Sequence, residues 1–195
     1  MKYQIPNKQE ELLPNILGLT SIEQISLSEF EGFLKTEIIL TEKLSRRTKF
    51  TVSYILKIHK LALSHLYSFA GKYRDVNMSK AGFPFPAAKF LSEAMQTFES
   101  ELLSKLPNVY SSKEELIKDI AIVHGELLFI HPFREGNGRT ARILANLMVR
   151  KQGYGPLLFD KVGKYEFELY VSAVQNCANK KYGKMEEFVS LIFPG

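Results

Sequence analysis

The chain has 195 residues, 45% of them apolar, which suits one domain with a real core. Its one cysteine, Cys177, excludes an internal disulfide and a CxxC metal site and points to a reducing, cytoplasmic setting. No apolar run reaches the about 18 residues of a membrane-spanning helix, and the opening Met1-Lys2-Tyr3-Gln4 lacks the apolar core of a secretory signal. The net charge of +5 favours anionic partners such as nucleotides only mildly, and charge alone makes no case for nucleic acid.

Residues 1–19 read as irregular, broken by Pro6 and Pro14. A helix is predicted from Thr20 or Ser21, with Glu23 placed for a capping box, to about Leu44. A second fits Thr51 to Tyr67, with Ile55, Ile58, Leu61, Ala62 and Leu66 on one face, and Gly71 ends it. Residues 75–86 cannot be a helix interior, because Pro84 and Pro86 lack the amide donor and clash. A short hairpin or extended flap suits them. Helical periodicity returns from Ala87 to Leu106. Ser111 or Ser112 then caps a helix with Glu114 and Glu115 in its first turn, and this helix stops near Phe129 ahead of His131-Pro132. Further helices are predicted from Gly138 to Gln152, Lys164 to Asn179 and Gly183 to Ile192. The fold class expected is all-α with one small β-hairpin flap.

The chemistry concentrates in His131-Pro132-Phe133-Arg134-Glu135-Gly136-Asn137-Gly138-Arg139-Thr140-Ala141-Arg142. This is a loop entering a helix N-terminus. Gly136 and Gly138 allow backbone conformations closed to other residues, so that successive N–H groups can face one concavity. The helix adds unpaired N–H groups and the positive end of its dipole, which suits phosphate. Arg139 and Arg142, three apart, share a face and suit a polyphosphate. Glu135 would repel phosphates unless a hard cation such as Mg²⁺ intervened. His131 can take a proton near neutral pH. Phe133, Ala141, Leu144, Ala145 and Met148 read as the core anchors of this segment.

The segment resembles the signature of Fic-domain proteins, HPFx(D/E)GNGRxxR, at every fixed position. Outward, His59, the stretch Tyr67–Arg74 with its G-x-Y-R, and Tyr170, Ala173, Tyr182 and Phe188 are similar to the family's spacing. Coverage is roughly residues 50–192, with Phe69 where Trp is frequent. The division implied is an N-terminal extension, 1–49, with a helix that can regulate, and a Fic domain, 50–195. The resemblance implies a helical fold with a flap over the site, and transfer of AMP from ATP to a Ser, Thr or Tyr hydroxyl. His131 would be the general base and Glu135 the holder of Mg²⁺. Backbone N–H groups around Gly136 and Gly138, with Asn137, would hold the α- and β-phosphates. Arg139 would contact the β-phosphate and Arg142 the γ-phosphate, and Tyr170 would lie by the adenine. The flap, about 79–86, would bind the target protein as an added strand.

Fic enzymes are often inhibited by a helix carrying (S/T)xxxE(G/N), whose Glu pairs with the second motif arginine, here Arg142. The nearest stretch is Leu27-Ser28-Glu29-Phe30-Glu31-Gly32, which makes Glu31 the candidate inhibitor. A small antitoxin-like partner is the other route. Removal of AMP at the same site, phosphotransfer with the nucleotide reversed, and nucleotide binding without transfer remain rivals. Elsewhere, His124 reads as a satisfied helix histidine and Cys177 as a small buried residue.

Overall fold

The fold is given by a computed structural model, which describes residues 12–80 and 82–195, with the backbone only for 164–166. The expectations for residues 1–11 and Ala81 lie outside the described residues. Seven helices are described: α1 Ile22–Glu42, α2 Val52–Leu63, α3 Leu91–Glu101, α4 Lys113–Ile130, α5 Asn137–Lys151, α6 Lys164–Cys177 and α7 Gly183–Leu191. A two-stranded antiparallel sheet, β1 Ser79–Lys80 and β2 Phe83–Pro84, pairs Ser79 with Pro84 and Lys80 with Phe83. The chain is all-α with one small flap. Among the described residues no helix is long and apolar enough to cross a membrane.

The helix starts follow side-chain capping. Ser21, Thr51 and Ser112 each sit in extended backbone and accept an amide from the first turn, at Gln24, Tyr54 and Glu115. Because Ser21 and not Thr20 is the cap, Glu23 falls one position short of the reciprocal capping box. Its carboxylate accepts the Ser21 hydroxyl instead. The second helix ends at Leu63 and stops short of Tyr67. Gly71, at φ 75°, folds the chain back over the last turns of α2, where an added Cβ would stand 2.8 Å from Lys60 Cβ. The predicted helix 87–106 is interrupted. It opens as a 3-10 turn at Ala88–Phe90 and breaks at Leu102, and a second 3-10 turn at Leu103–Lys105 turns Leu103 into the core.

Two helices are buried nearly all round. In α4 the buried positions include Leu116, Ile120, Ala121, Val123, His124, Leu127 and Leu128, facing α3, α5, α6 and α7. In α5, Thr140, Ala141 and every residue from Ile143 to Val149 are buried. A helix apolar on all sides belongs in a core. The motif loop joins these two helices, so both its ends are anchored in the core. Helix α1 packs on α2 and α5. Its approach to α2 is close: a Cβ on Gly32 would collide with the Ala62 carbonyl oxygen.

Candidate active site

The loop between α4 and α5 is built first by local bonds. His131 ends α4 in the left-handed region, φ 52° and ψ 57°, and its amide donates to the Leu127 carbonyl at 3.1 Å. A non-glycine residue held there is strained, and such strain concentrates at functional positions. Gly136, φ 77°, caps α5. A side chain there would also meet Phe33 of α1, 2.8 Å from the added Cβ. Asn137 closes the loop on itself: its Oδ1 accepts the Phe133 amide at 2.8 Å and its Nδ2 donates to the Phe133 carbonyl at 2.7 Å. Gly138 differs from the sequence expectation. It has ordinary helical backbone, and an added Cβ would meet nothing within 4 Å. What the glycine provides is open space over the first turn of α5, where the N–H groups of 137–139 have no intrahelical acceptor.

Distant residues then fix the loop. The buried Arg74 donates from Nε to the His131 carbonyl at 2.8 Å, and from its two terminal nitrogens to the carbonyls of Val76 and Pro86, each at 2.6 Å. One guanidinium therefore ties the end of α4 to both sides of the flap. His59 on α2 stacks on Phe133 at 3.8 Å. Its Nε2 donates to the Glu135 carbonyl at 2.9 Å and its Nδ1 accepts the Gly71 amide at 2.8 Å. Both ring nitrogens are committed, so His59 is a neutral clamp.

The His131 ring stacks on Phe85 of the flap, centroids 3.8 Å apart. Its Nδ1 lies 3.0 Å from the Leu128 carbonyl. A carbonyl can only accept, so Nδ1 carries the proton and Nε2 keeps the lone pair. Burial pushes the ring pKa down to about 3. The charges of Arg74 and Lys80 add to this, and the bond to Leu128 opposes it. The imidazole is therefore neutral, with Nε2 as its basic nitrogen.

Arg139 lies over the Phe33 ring at 4.7 Å, between two carboxylates: Glu29 of α1 at 2.7 Å and Glu135 at 3.4 Å. Glu29 is buried and also accepts the Tyr67 hydroxyl at 2.6 Å. Glu135 accepts the Gly136 amide at 2.8 Å and remains partly exposed at the rim. Arg142 is exposed, 5.2 Å over the Phe159 ring and beside the Tyr170 hydroxyl. Tyr170 is held in turn by His124 Nε2 at 2.9 Å, and His124 Nδ1 donates to the Ala141 carbonyl at 3.2 Å.

The structure thus brings His131, Glu135, Gly136, Asn137, Gly138, Arg139 and Arg142 to one end of α5. Two further expectations change. The Asn137 side chain is consumed by the Phe133 backbone, so only its amide faces a ligand. The expected carboxylate lock is not where the sequence put it. Glu31 is exposed on the outer face of α1, and among the described residues no carboxylate pairs with Arg142. It is Glu29, two residues earlier and on the buried face, that reaches the motif, and it reaches Arg139. Sequence reading passed over Glu29, and the resemblance that marked His59 and Arg74 gave them no role. Only the match of Gly71-Lys72-Tyr73-Arg74 to a family pattern hinted at Arg74.

Burial also lowers the pKa of His59 and of His124 to about 4. All three folded-state values lie below the unfolded value of about 6.5, so the unfolded chain binds the extra protons. The stability gained by keeping these rings neutral is complete above about pH 6.5 and is lost as pH falls toward 4 and 3. By pH 5 the loss reaches about 2 kcal/mol per ring. The urea midpoint is expected to fall steeply between pH 6.5 and 5. A midpoint that stays level over that interval would show that the rings take up protons inside the fold.

Residues 49–149 match the Fic/DOC family. The chain is 30% identical over 171 residues to a protein adenylyltransferase Fic of Nematostella vectensis, covering 87% of this chain and 36% of that protein. It is 33% identical over 143 residues to a protein adenylyltransferase Fic of Aedes aegypti, covering 73% and 27%. It therefore spans about a third of the length of the relatives it matches. Among solved structures it is similar to the N-terminal FIC domain of Bep8 from Bartonella sp. 1-1C, with a TM-score of 0.78 at 22% identity over 93% of this chain and 90% of that one. It is also similar to BepC of Bartonella tribocorum with bound AMPPNP, with a TM-score of 0.73 at 20% identity over 94% and 93%. With the motif matched at every fixed position inside the aligned region, the chain belongs to the Fic/DOC family.

Proposed function

We propose that this chain transfers the adenylyl group of ATP to a hydroxyl of a target protein. The observation that carries this reading is a buried neutral imidazole, proton-free at Nε2, at the mouth of a helix N-terminus that bears two arginines. Binding alone has no use for such a base. The target oxygen bonds to the α-phosphorus while its proton passes to His131 Nε2. The bond from the α-phosphorus to the bridging oxygen breaks, and pyrophosphate leaves with the electron pair. Positioning and charge neutralisation dominate such a transfer.

In this reading the amides of 137–139 and Arg139 hold the α- and β-phosphates and Arg142 the γ-phosphate. Tyr170, expected beside the adenine, acts instead through Arg142: its hydroxyl is bonded to that guanidinium, while its ring is buried against Phe188 with centroids 4.7 Å apart. The flap around Phe83 and Phe85 holds the target as an added strand, with its hydroxyl over His131. The donor set fits Mg²⁺ as an ion carried in by the phosphates. Glu135 offers one hard oxygen ligand, and among the described residues no group of three His, Cys, Asp or Glu could hold a metal alone. When bound, the ion would neutralise phosphate charge beside Glu135. We assign the chain to a reducing compartment such as the cytoplasm, with Cys177 buried and its thiol pushed up to about 12, which makes it inert.

Incubation with α-³²P-ATP and with γ-³²P-ATP in the presence of Mg²⁺ tests the proposal. Label from the α-position alone is expected on protein. Label from the γ-position alone would overturn adenylyl transfer in favour of phosphotransfer.

Glu29 is read as the support of Arg139. Its carboxylate takes the same nitrogen that faces Glu135, so the other donors of the fork stay outside these ion pairs. Glu29→Ala is expected to weaken ATP binding severalfold and to cost roughly 2–3 kcal/mol of stability, because the Tyr67 hydroxyl and Arg139 both lose a buried acceptor. Calorimetric titration with Mg²⁺-ATP and urea unfolding measure the two effects. Tighter ATP binding in the variant would make Glu29 an inhibitor instead of a support.

A further inference from the structure

The two motif arginines sit in different electrostatic settings. Arg139 lies between the carboxylates of Glu29 and Glu135. Arg142 is held by neutral groups: its guanidinium lies 5.2 Å over the Phe159 ring and donates to the Tyr170 hydroxyl oxygen. Among the described residues no carboxylate pairs with it. A carboxylate offsets an arginine's attraction for a phosphate, and a neutral acceptor leaves that attraction whole. The neutral cradle is ordered by one buried histidine. His124 Nδ1 lies 3.2 Å from the Ala141 carbonyl, which can only accept, so Nδ1 carries the ring proton. Nε2 of the neutral ring then offers a lone pair, and the Tyr170 hydroxyl, 2.9 Å away, donates its single proton there. The phenol oxygen is left only to accept, and a guanidinium only donates. The bonds therefore run one way, from Arg142 to Tyr170 to His124 to the Ala141 carbonyl, and end on the peptide that carries Arg142. Phe159 is fixed from the other side, where the Leu158 amide donates to the Ile192 carbonyl at 2.8 Å.

We propose that His124, acting through Tyr170, is a positioning residue that makes this site select a nucleoside triphosphate over the diphosphate. The inference rests on the reading in which Arg142 meets the γ-phosphate. An exposed arginine ordinarily samples many rotamers and loses that freedom when it grips a ligand. Arg142 is bonded in advance to a phenol oxygen whose own direction His124 sets, so less freedom is lost when a phosphate arrives. A diphosphate ends short of Arg142 and gains nothing from this order. Selectivity for the third phosphate is thus carried by a histidine and a tyrosine that touch no part of the nucleotide.

Calorimetric titration of the full chain with Mg²⁺-ATP and with Mg²⁺-ADP tests the proposal. The readout is the ratio of the two dissociation constants, because partial loss of fold weakens both nucleotides alike and leaves the ratio unchanged. The wild type is expected to prefer ATP by about tenfold, and Arg142→Ala to lose that preference. Tyr170→Phe, which removes one oxygen, and His124→Leu should each weaken ATP by about fivefold and leave ADP within about twofold. The double variant Tyr170→Phe/His124→Leu should bind ATP no more weakly than either single, because the two groups act in series. His124→Gln keeps an acceptor for the Tyr170 hydroxyl and should hold ATP within about twofold of the wild type. An ATP preference that survives Arg142→Ala, or a wild type without one, takes Arg142 away from the γ-phosphate, and the proposal falls with that assignment. A preference lost in Arg142→Ala but kept in Tyr170→Phe and His124→Leu leaves the assignment standing and overturns the role of His124. Equal weakening of ATP and ADP in those two variants, or His124→Gln binding ATP as weakly as His124→Leu, overturns that role as well.

Discussion

Replacing His131 by Ala is expected to abolish measurable transfer, a loss of about 10²–10⁴-fold for a missing general base, while the molecule stays folded and still binds Mg²⁺-ATP. Around the ring, the structure assigns separate tasks to separate atoms. The His131 carbonyl accepts Arg74 and its amide donates to Leu127, and both survive the substitution. The phosphate-facing groups belong to α5 and are untouched. What is lost is Nε2, the bond from Nδ1 to the Leu128 carbonyl and the stack on Phe85. The rate effect should therefore sit in kcat, with nucleotide affinity retained. Because burial holds the ring near pH 3, His131 is not expected to impose the acid limb near pH 6.5 that an exposed histidine would give. Transfer that persists in His131→Ala, measured as α-labelled incorporation into any acceptor, would take the base assignment away from this residue.

Arg74→Met should cost about 3–5 kcal/mol of stability in urea unfolding. The residue is 4% exposed, and its three charge-assisted bonds go to the carbonyls of His131, Val76 and Pro86. Removing it leaves three buried or half-buried acceptors with no donor, at roughly 1–3 kcal/mol for each that stays unpaired. Methionine fills the apolar length and isolates the loss of the fork. Arg74→Lys should recover only part of it, since one ammonium cannot span three carbonyls in the geometry of a planar guanidinium. Transfer should fall with stability, because the same group sets the flap against the end of α4. A loss below about 1 kcal/mol would mean that water replaces the guanidinium and that the flap is anchored by other contacts.

Much of the site was legible because it is local. A proline after His131, a glycine at a left-handed cap and two arginines one turn apart act across a few residues, and a chain read in order shows them together. The helix starts at Ser21, Thr51 and Ser112 were readable for the same reason, being decided by a side chain and an amide three positions on. The helix ends were less so: α2 stops early because Gly71 must return to His59, a contact that no local pattern announces.

The supports of the site came only from the tertiary structure. Glu29 reaches Arg139 across 110 positions, His59 reaches Glu135 across 76, and Arg74 reaches His131 across 57. Each of these looks in sequence like an ordinary charge or a helix histidine. Burial, which only the packed helices create, is what turns them into neutral clamps and fixed ion pairs. Glu29 and Glu31 show the difference. Sequence alone favoured Glu31 for its following glycine. The rotation of α1 on α2 buries Glu29 against Arg139 and leaves Glu31 outside, because two residues along a helix is more than half a turn. The amino-acid order determined the loop and its chemistry, and the packing of α1, α2 and the flap decided which charges hold that loop in place.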